Sequence, residues 1–118
     1  MQTLINHLNS PYLMNELVKL TSDLMKFKTT EDNPEEIRKC ADFIINYLRG
    51  QGIIIKKYTR KDKISLVATF KDTKKPKILL NAHFDVVPAL PSFFIPKIKG
   101  NKLMGRGSND CKSQIAVL

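Results

Sequence analysis

The sequence has little cysteine, few acidic residues in its second half, and no long apolar run. Its two cysteines, Cys40 and Cys111, form no spacing motif, which indicates a reducing compartment. No apolar run approaches the ~20 residues that a membrane helix needs. The N-terminus lacks the basic and apolar regions of a signal peptide. These absences predict a cytoplasmic protein that does not bind membranes.

Acidic residues are scarce after position 50. Residues 1–50 carry six Lys/Arg and seven Asp/Glu, a net charge of −1, whereas residues 51–118 carry fourteen and four, a net charge of +10. A basic half can mark a nucleic-acid surface. The lysines here have no interleaved aromatic residues and no recognition motif, which favours a solvated surface and no nucleic-acid partner. A third interpretation is that an acidic remainder of the protein, which would balance this positive charge, is missing from the chain.

Two amphipathic helices are predicted in the first half of the chain, whose 118 residues suffice for one core. Ser10-Pro11 marks the first start, with serine as N-cap and proline at the first helical position. Asn33-Pro34 marks the second, with Glu36 placed as in a capping box, and Gly50 or Gly52 ends it. The apolar stripes are Leu13, Leu17, Leu20, Leu24 and Phe27, then Ile37, Cys40, Ala41, Ile44, Tyr47 and Leu48. Cys40 is therefore predicted to lie in the core.

The second half of the chain is predicted to form strands. Ile53–Ile55 and Ile64–Phe70 are bounded by charged turns, and the unbroken apolar run Ile78–Leu80 is typical of a strand inside a sheet. Prolines keep Val87–Pro96 irregular, and Phe93 and Phe94 either pack this loop onto the core or line a substrate pocket. A hairpin is predicted over Lys97–Met104, followed by a helix. This order indicates an α/β fold.

Three residues carry the predicted chemistry: His83, Asp85 and Asp110. Residues two apart on a strand point the same way, so Asp85 can hold one imidazole nitrogen of His83 while the other faces a metal. Gly105 and Gly107 allow a tight turn before Asp110. Each signal alone is weak, and the glycine turn GRGSND lacks the Lys-Ser/Thr of a phosphate-binding P-loop. His7 has no acidic or cysteine neighbour and is predicted to be a surface histidine.

Taken together and in this order, these motifs resemble the zinc amidohydrolase and exopeptidase family of acetylornithine deacetylase, succinyl-diaminopimelate desuccinylase, aminoacylase and carboxypeptidase G. The resemblance extends over nearly the whole chain. It implies the N-terminal portion of a zinc-exopeptidase-like three-layer α/β/α catalytic domain, with two helices followed by mixed sheet strands. The matching residues are His83, Asp85, Val86, Val87, Pro88, Gly100, Leu103, Gly105, Arg106, Gly107, Asp110 and Lys112.

The resemblance also implies a role for each site residue. His83 corresponds to a ligand of one zinc, Asp85 to the catalytic residue that orients it, and Asp110 to the carboxylate that bridges two zincs. Two Zn²⁺ per complete site are implied, with Co²⁺ or Mn²⁺ as alternatives. The implied reaction is hydrolysis of an amide bond in an N-acyl amino acid or a small peptide.

The sequence departs from the family pattern beside the site. Cys111 stands where the family often has a large apolar residue, and it either packs beneath the site or binds zinc itself. Ser113 replaces the usual glycine after the lysine. The usual tryptophan of the proline-rich loop is missing, and Phe93 or Phe94 takes its place.

Length is the larger departure, because members of this family are several times longer than 118 residues. Their general base and remaining metal ligands correspond to positions after Leu118, and no glutamate follows Glu36. Residues 1–118 are therefore predicted to be an N-terminal fragment of the catalytic domain, without a dimerisation domain and inactive alone. Its expected partners are a small-molecule substrate and a missing C-terminal segment or complementing chain. The alternative is a non-catalytic remnant that forms a homo-oligomer or binds another partner.

Overall fold

The computed structural model describes residues 10–118, which form three α-helices, a 3-10 helix and two β-hairpins. The helices are α1 (Pro11–Met25), α2 (Pro34–Leu48) and α3 (Lys112–Val117), and the 3-10 helix spans Pro91–Phe94. The strands are β1 (Ile54–Arg60), β2 (Lys63–Thr69), β3 (Lys97–Lys99) and β4 (Lys102–Met104). This confirms an α/β composition. His7 lies outside the described residues. Across residues 10–118, every helix is too short or too polar to cross a membrane.

Both long helices begin where proline predicts, but their caps differ. The Asn33 side chain accepts a hydrogen bond from the Glu36 backbone N–H at 3.4 Å, so α2 has a side-chain cap. The expected capping box is incomplete, because the Glu36 carboxylate accepts from the Lys28 backbone N–H instead. Ser10 makes no side-chain cap bond. Gly50, with φ +81°, follows the end of α2 as predicted.

The two hairpins confirm the strands expected near Ile53–Ile55 and Ile64–Phe70 and the hairpin expected over Lys97–Met104. Strands β1 and β2 pair antiparallel from Ile54↔Thr69 to Arg60↔Lys63, and β3 pairs with β4 across a turn at Gly100. Both pairs are antiparallel, so residues 10–118 contain no mixed sheet. The first hairpin lies against α2, where Lys57 contacts Asp42 at 2.8 Å.

The core is formed by the end of α1, which packs against α3, by the first half of α2, and by the loop residues Val86 and Phe94. Its buried apolar residues are Leu24, Met25, Ile37, Cys40, Ala41, Val86 and Phe94. Cys40 is fully buried, as predicted, and burial raises the pKa of its thiol to about 11. Phe94 packs the proline-rich loop onto this core as expected, whereas Phe93 is 51% exposed. Tyr47, predicted on the apolar stripe of α2, is also exposed.

The prediction of a buried strand at Ile78–Leu80 is wrong. These residues have no regular secondary structure, and their side chains are 77%, 82% and 64% exposed. A strand inside a sheet needs a hydrogen-bonded neighbour on each side. Within residues 10–118 no strand pairs with this segment, so its apolar side chains remain in solvent.

The chain exposes more surface than a folded protein of its mass. Its accessible area is 9301 Å², whereas a 13.5 kDa monomer is expected to expose about 6500 Å². Its radius of gyration is 15.4 Å, against about 13.5 Å for a compact domain of this length. Apolar segments such as Ile78–Leu80 contribute to this excess.

Candidate functional site

Thr29, in the turn after α1, holds the segment that carries His83 and Asp85. The Thr29 hydroxyl donates to the Phe84 carbonyl, and its own carbonyl accepts from the Val86 backbone N–H at 3.0 Å. Thr29 and Val86 are both buried. The segment therefore keeps the alternation of an extended chain, with Val86 directed to the core and His83 and Asp85 to solvent. His83 and Asp85 are therefore both exposed, as their spacing predicts, although this segment is not part of a strand.

The glycine turn that precedes Asp110 packs against the same end of α1. Gly105 lies so close to α1 that an added Cβ would be 2.6 Å from the Met25 side chain. At Gly107 an added Cβ would be 2.9 Å from the Lys112 side chain. These approaches require glycine, and both residues have positive φ. The peptide bond between Asp110 and Cys111 is cis.

Lys112 holds this turn in place through hydrogen bonds to two backbone carbonyls. Its side chain is fully buried, and its ammonium group donates to the Phe27 carbonyl at 2.7 Å. Its backbone N–H donates to the Gly107 carbonyl at 3.0 Å. Burial lowers the pKa of Lys112 to about 8, against the opposing influence of Cys40, Glu36 and Asp85. Lys112 thus connects the residues that follow Asp110 to the end of α1.

His83, Asp85 and Asp110 come together at the surface. His83 Nε2 lies 3.0 Å from Asp110 Oδ1. His83 Nδ1 lies 3.0 Å from the Asp85 backbone carbonyl and 3.4 Å from the Asp85 carboxylate. The backbone carbonyl is therefore the nearer orienting group, where the sequence predicted the carboxylate. Because a carbonyl can only accept, Nδ1 carries a proton and the other nitrogen faces Asp110.

The protonation of His83 reflects opposing influences. Partial burial lowers the pKa of His83, but hydrogen bonds with Asp85 and Asp110 and the negative charge of both carboxylates outweigh this effect. The net result is a raised pKa. A protonated ring donates to both neighbours, whereas a neutral ring protonated at Nδ1 offers its Nε2 lone pair to a cation.

The donor set fits one metal ion better than two. In the part of the chain that the structure describes, His83, Asp110 and Cys111 each offer one ligand atom, and these atoms lie within 4.8 Å of one another. Zinc is commonly bound by about four ligands drawn from these residue types. Two complete coordination shells need more ligands than these three side chains supply.

The glutamates of the described chain do not reach this cluster. Their hydrogen-bond and ion-pair partners lie elsewhere: Tyr12 for Glu16, Lys63 for Glu31, Lys39 for Glu35, and Lys39 and the Lys28 backbone for Glu36. A depression of about 270 Å³ lies between Lys28, Pro88 and Phe94, and it does not include His83 or Asp110. Phe94 lines this depression as well as packing the loop.

Sequence reasoning missed the contribution of Thr29. Its position between two helices indicated only a break in the helical pattern, and no local signal marks a contact with a segment 55 residues away. Lys112 was recognised as part of a motif, but its burial beneath the turn was not foreseen.

Curated proteins of known family match most of this chain. A succinyl-diaminopimelate desuccinylase of Sulfurovum sp. is 33% identical over 86% of the chain and 27% of its own length. A Pyrococcus abyssi protein, provisionally named as a LysW-lysine/LysW-ornithine hydrolase, is 34% identical over 88% of the chain and 28% of its own length. A peptidase M20 domain-containing protein of Schizosaccharomyces pombe is 28% identical over 97% of the chain and 28% of its own length.

The chain belongs to the M20 peptidase family. This confirms the resemblance found in the motifs around His83 and Asp110. No family model matches the chain. It spans just over a quarter of the length of the M20 relatives it matches, so the names of those relatives describe longer proteins.

Proposed function

We propose that this chain supplies part of the metal centre of an M20-type amide hydrolase. The observation that carries the proposal is the contact between His83 and Asp110, which are 27 positions apart and meet at 3.0 Å. Their side chains are 50% and 81% exposed, so a cation and a substrate can reach them from solvent. An imidazole nitrogen and a carboxylate oxygen are both zinc ligands.

Each residue has a defined part in this centre. In such a centre His83 would be a ligand of one zinc, Asp110 would be the carboxylate shared by two zincs, and Asp85 would orient the imidazole. Co²⁺ or Mn²⁺ can replace Zn²⁺ in this role. Metal ions held by these residues would supply an activated water molecule and would polarise the substrate carbonyl. The protein side chains keep the metal ligands oriented, since Thr29 holds the His83 segment and Lys112 holds the Asp110 turn.

The proposed substrates are N-acyl amino acids or small peptides. Two M20 relatives support this class by name, one a desuccinylase of diaminopimelate and one a hydrolase of LysW-linked amino acids. Each name describes release of an amino acid from a larger conjugate.

The chain alone is proposed to be inactive and to require a further segment or a complementing chain. It corresponds to just over a quarter of its relatives, and no glutamate of residues 10–118 contacts the His83–Asp110 pair. The added segment would supply the general base and further ligands. It would also cover the exposed run Ile78–Leu80 as a sheet neighbour, which would complete a three-layer α/β/α domain.

A second candidate is a non-catalytic module that forms a homo-oligomer or binds another protein. The same exposed run, with Leu79 at 82% exposure, favours it, because contiguous apolar surface marks interaction sites. The two candidates differ in whether the His83–Asp110 pair binds metal.

Metal stoichiometry tests the proposal. We expect the chain to bind zinc, and His83→Ala and Asp110→Ala each to weaken binding by roughly tenfold or more. Asp62→Ala is the matched control, since Asp62 is an exposed carboxylate at another surface. Isothermal titration at fixed pH gives both affinity and stoichiometry. If the unmutated chain and the three variants bind zinc with equal affinity, His83 and Asp110 are not metal ligands. That result would favour the non-catalytic module.

Turnover tests the incompleteness of the chain. We expect no hydrolysis of N-acetyl amino acids by the chain alone in saturating zinc. Turnover by the isolated chain at stoichiometric zinc would show that the site is already complete.

A further inference from the structure

Cys111 shares the space of His83 and Asp110. Its side-chain exposure is intermediate, and its Sγ belongs to the group of three ligand atoms that lie within 4.8 Å of one another. The other cysteine, Cys40, is fully buried in α2 and is not part of this group. The thiol of Cys111 is thus placed beside an imidazole nitrogen and a carboxylate oxygen.

The spacing of these atoms suits one tetrahedral ion. Nitrogen, oxygen and sulfur ligands lie ~2.0–2.3 Å from zinc, which places them about 3.3–3.6 Å from one another. His83 Nε2 and Asp110 Oδ1 are already 3.0 Å apart. A maximum separation of 4.8 Å means that side-chain adjustments on the order of 1 Å complete the geometry.

The contacts of His83 leave its second ring nitrogen beside Asp110. Its Nδ1 lies 3.0 Å from the Asp85 carbonyl, and its Nε2 lies 3.0 Å from Asp110 Oδ1. A lone pair facing a carboxylate oxygen is repulsive unless a proton or a metal ion lies with them. A metal ion bound by both atoms satisfies the pair, and Cys111 is the next available ligand.

We propose that Cys111 is a further ligand of a metal ion bound by His83 and Asp110. The inference rests on the proposed metal role of those two residues and adds a thiolate to it. Binding releases the thiol proton to solvent as the S–metal bond forms. A thiolate favours Zn²⁺, Co²⁺ and Cd²⁺ over Mn²⁺, which prefers oxygen ligands.

Cobalt absorption tests for the sulfur–metal bond. Titrating the reduced chain with Co²⁺ should produce a thiolate-to-cobalt charge-transfer band in the near ultraviolet together with the visible bands of a tetrahedral ion. Cys111→Ser should lose the charge-transfer band and bind cobalt roughly tenfold or more weakly. Cys40→Ala is the matched control and should keep the band, because its thiol lies in the core.

Alkylation of the unmutated chain provides a test that needs no variant. Zn²⁺ or Cd²⁺ should slow the reaction of Cys111 with iodoacetamide, because a metal-bound thiolate is a weaker nucleophile, and peptide mass spectrometry reports each cysteine separately. Unchanged alkylation of Cys111 in saturating metal overturns the inference, even if Cys111→Ser fails to fold.

The outcomes separate this inference from the proposed function. Cobalt binding that lacks the charge-transfer band and is equal in Cys111→Ser overturns the role of Cys111 and leaves His83 and Asp110 as ligands. A band that survives His83→Ala and Asp110→Ala means that the thiol binds cobalt elsewhere, which overturns the inference. Absence of any cobalt binding by the unmutated chain overturns both proposals.

Discussion

At the scale of single residues, Lys112 shows how a buried charge can organise a surface site. Its side chain is fully buried, and its ammonium group donates to the Phe27 carbonyl at 2.7 Å. Gly107 makes room for its side chain, because any Cβ there would lie 2.9 Å from it. The cation therefore fixes the distance between the end of α1 and the turn that carries Asp110.

Lys112→Ala should lower the free energy of unfolding by about 2–4 kcal/mol, because it leaves a cavity and an unpaired carbonyl. Lys74→Ala is the matched control, since Lys74 is exposed in a loop, and should change stability by less than about 0.5 kcal/mol. Urea unfolding followed by circular dichroism measures both. Equal stability of the two variants would show that Lys112 is not a structural anchor.

At the scale of elements, the glycine turn depends on close backbone approach more than on flexibility. Gly105 and Gly100 both have positive φ, at +144° and +60°. Only at Gly105, of these two, would an added Cβ meet atoms, 2.6 Å from Met25 Cε and 2.9 Å from the Phe93 carbonyl. At Gly100 the space is open.

Gly105→Ala should therefore cost about 1–3 kcal/mol more than Gly100→Ala, because overpacking adds to a backbone penalty that both variants share. Thermal or urea unfolding of the pair measures the difference. If Gly100→Ala is the more destabilising of the two, the close packing of the turn on α1 is incorrect.

At the scale of the whole molecule, apolar residues of similar type have opposite environments. Leu24 of α1 is completely buried, whereas Leu79 is 82% exposed. Burial, and not hydrophobicity alone, decides how much a side chain contributes to stability. The isolated chain thus keeps a core at one place and an uncovered apolar run at another.

Leu24→Ala should lower the free energy of unfolding by about 2–5 kcal/mol, whereas Leu79→Ala should change it by less than about 0.5 kcal/mol. Both are measured by urea unfolding at a protein concentration low enough to keep the chain monomeric. A large loss in Leu79→Ala would mean that Ile78–Leu80 is buried in solution, either within the chain or between copies of it.

Local sequence signals predicted the elements that local interactions stabilise. Prolines at the first helical positions and two apolar stripes located α1 and α2, and charged turns located the first hairpin. The run Ile78–Leu80 was mispredicted for a physical reason. An interior strand forms only where neighbouring strands supply hydrogen bonds. The apolar residues of the run itself indicate that burial would be favourable, but they do not specify which segment covers them.

The sequence by itself determined the family and singled out His83, Asp85 and Asp110 as candidate site residues, because they lie in short motifs with fixed spacing. Only the tertiary structure decided that His83 and Asp110 are in contact, that Thr29 and Lys112 hold them there, and that the thiol of Cys111 faces the same space. These relations join segments separated by 27 to 85 positions. They depend on how the chain packs around the end of α1, which no local pattern encodes.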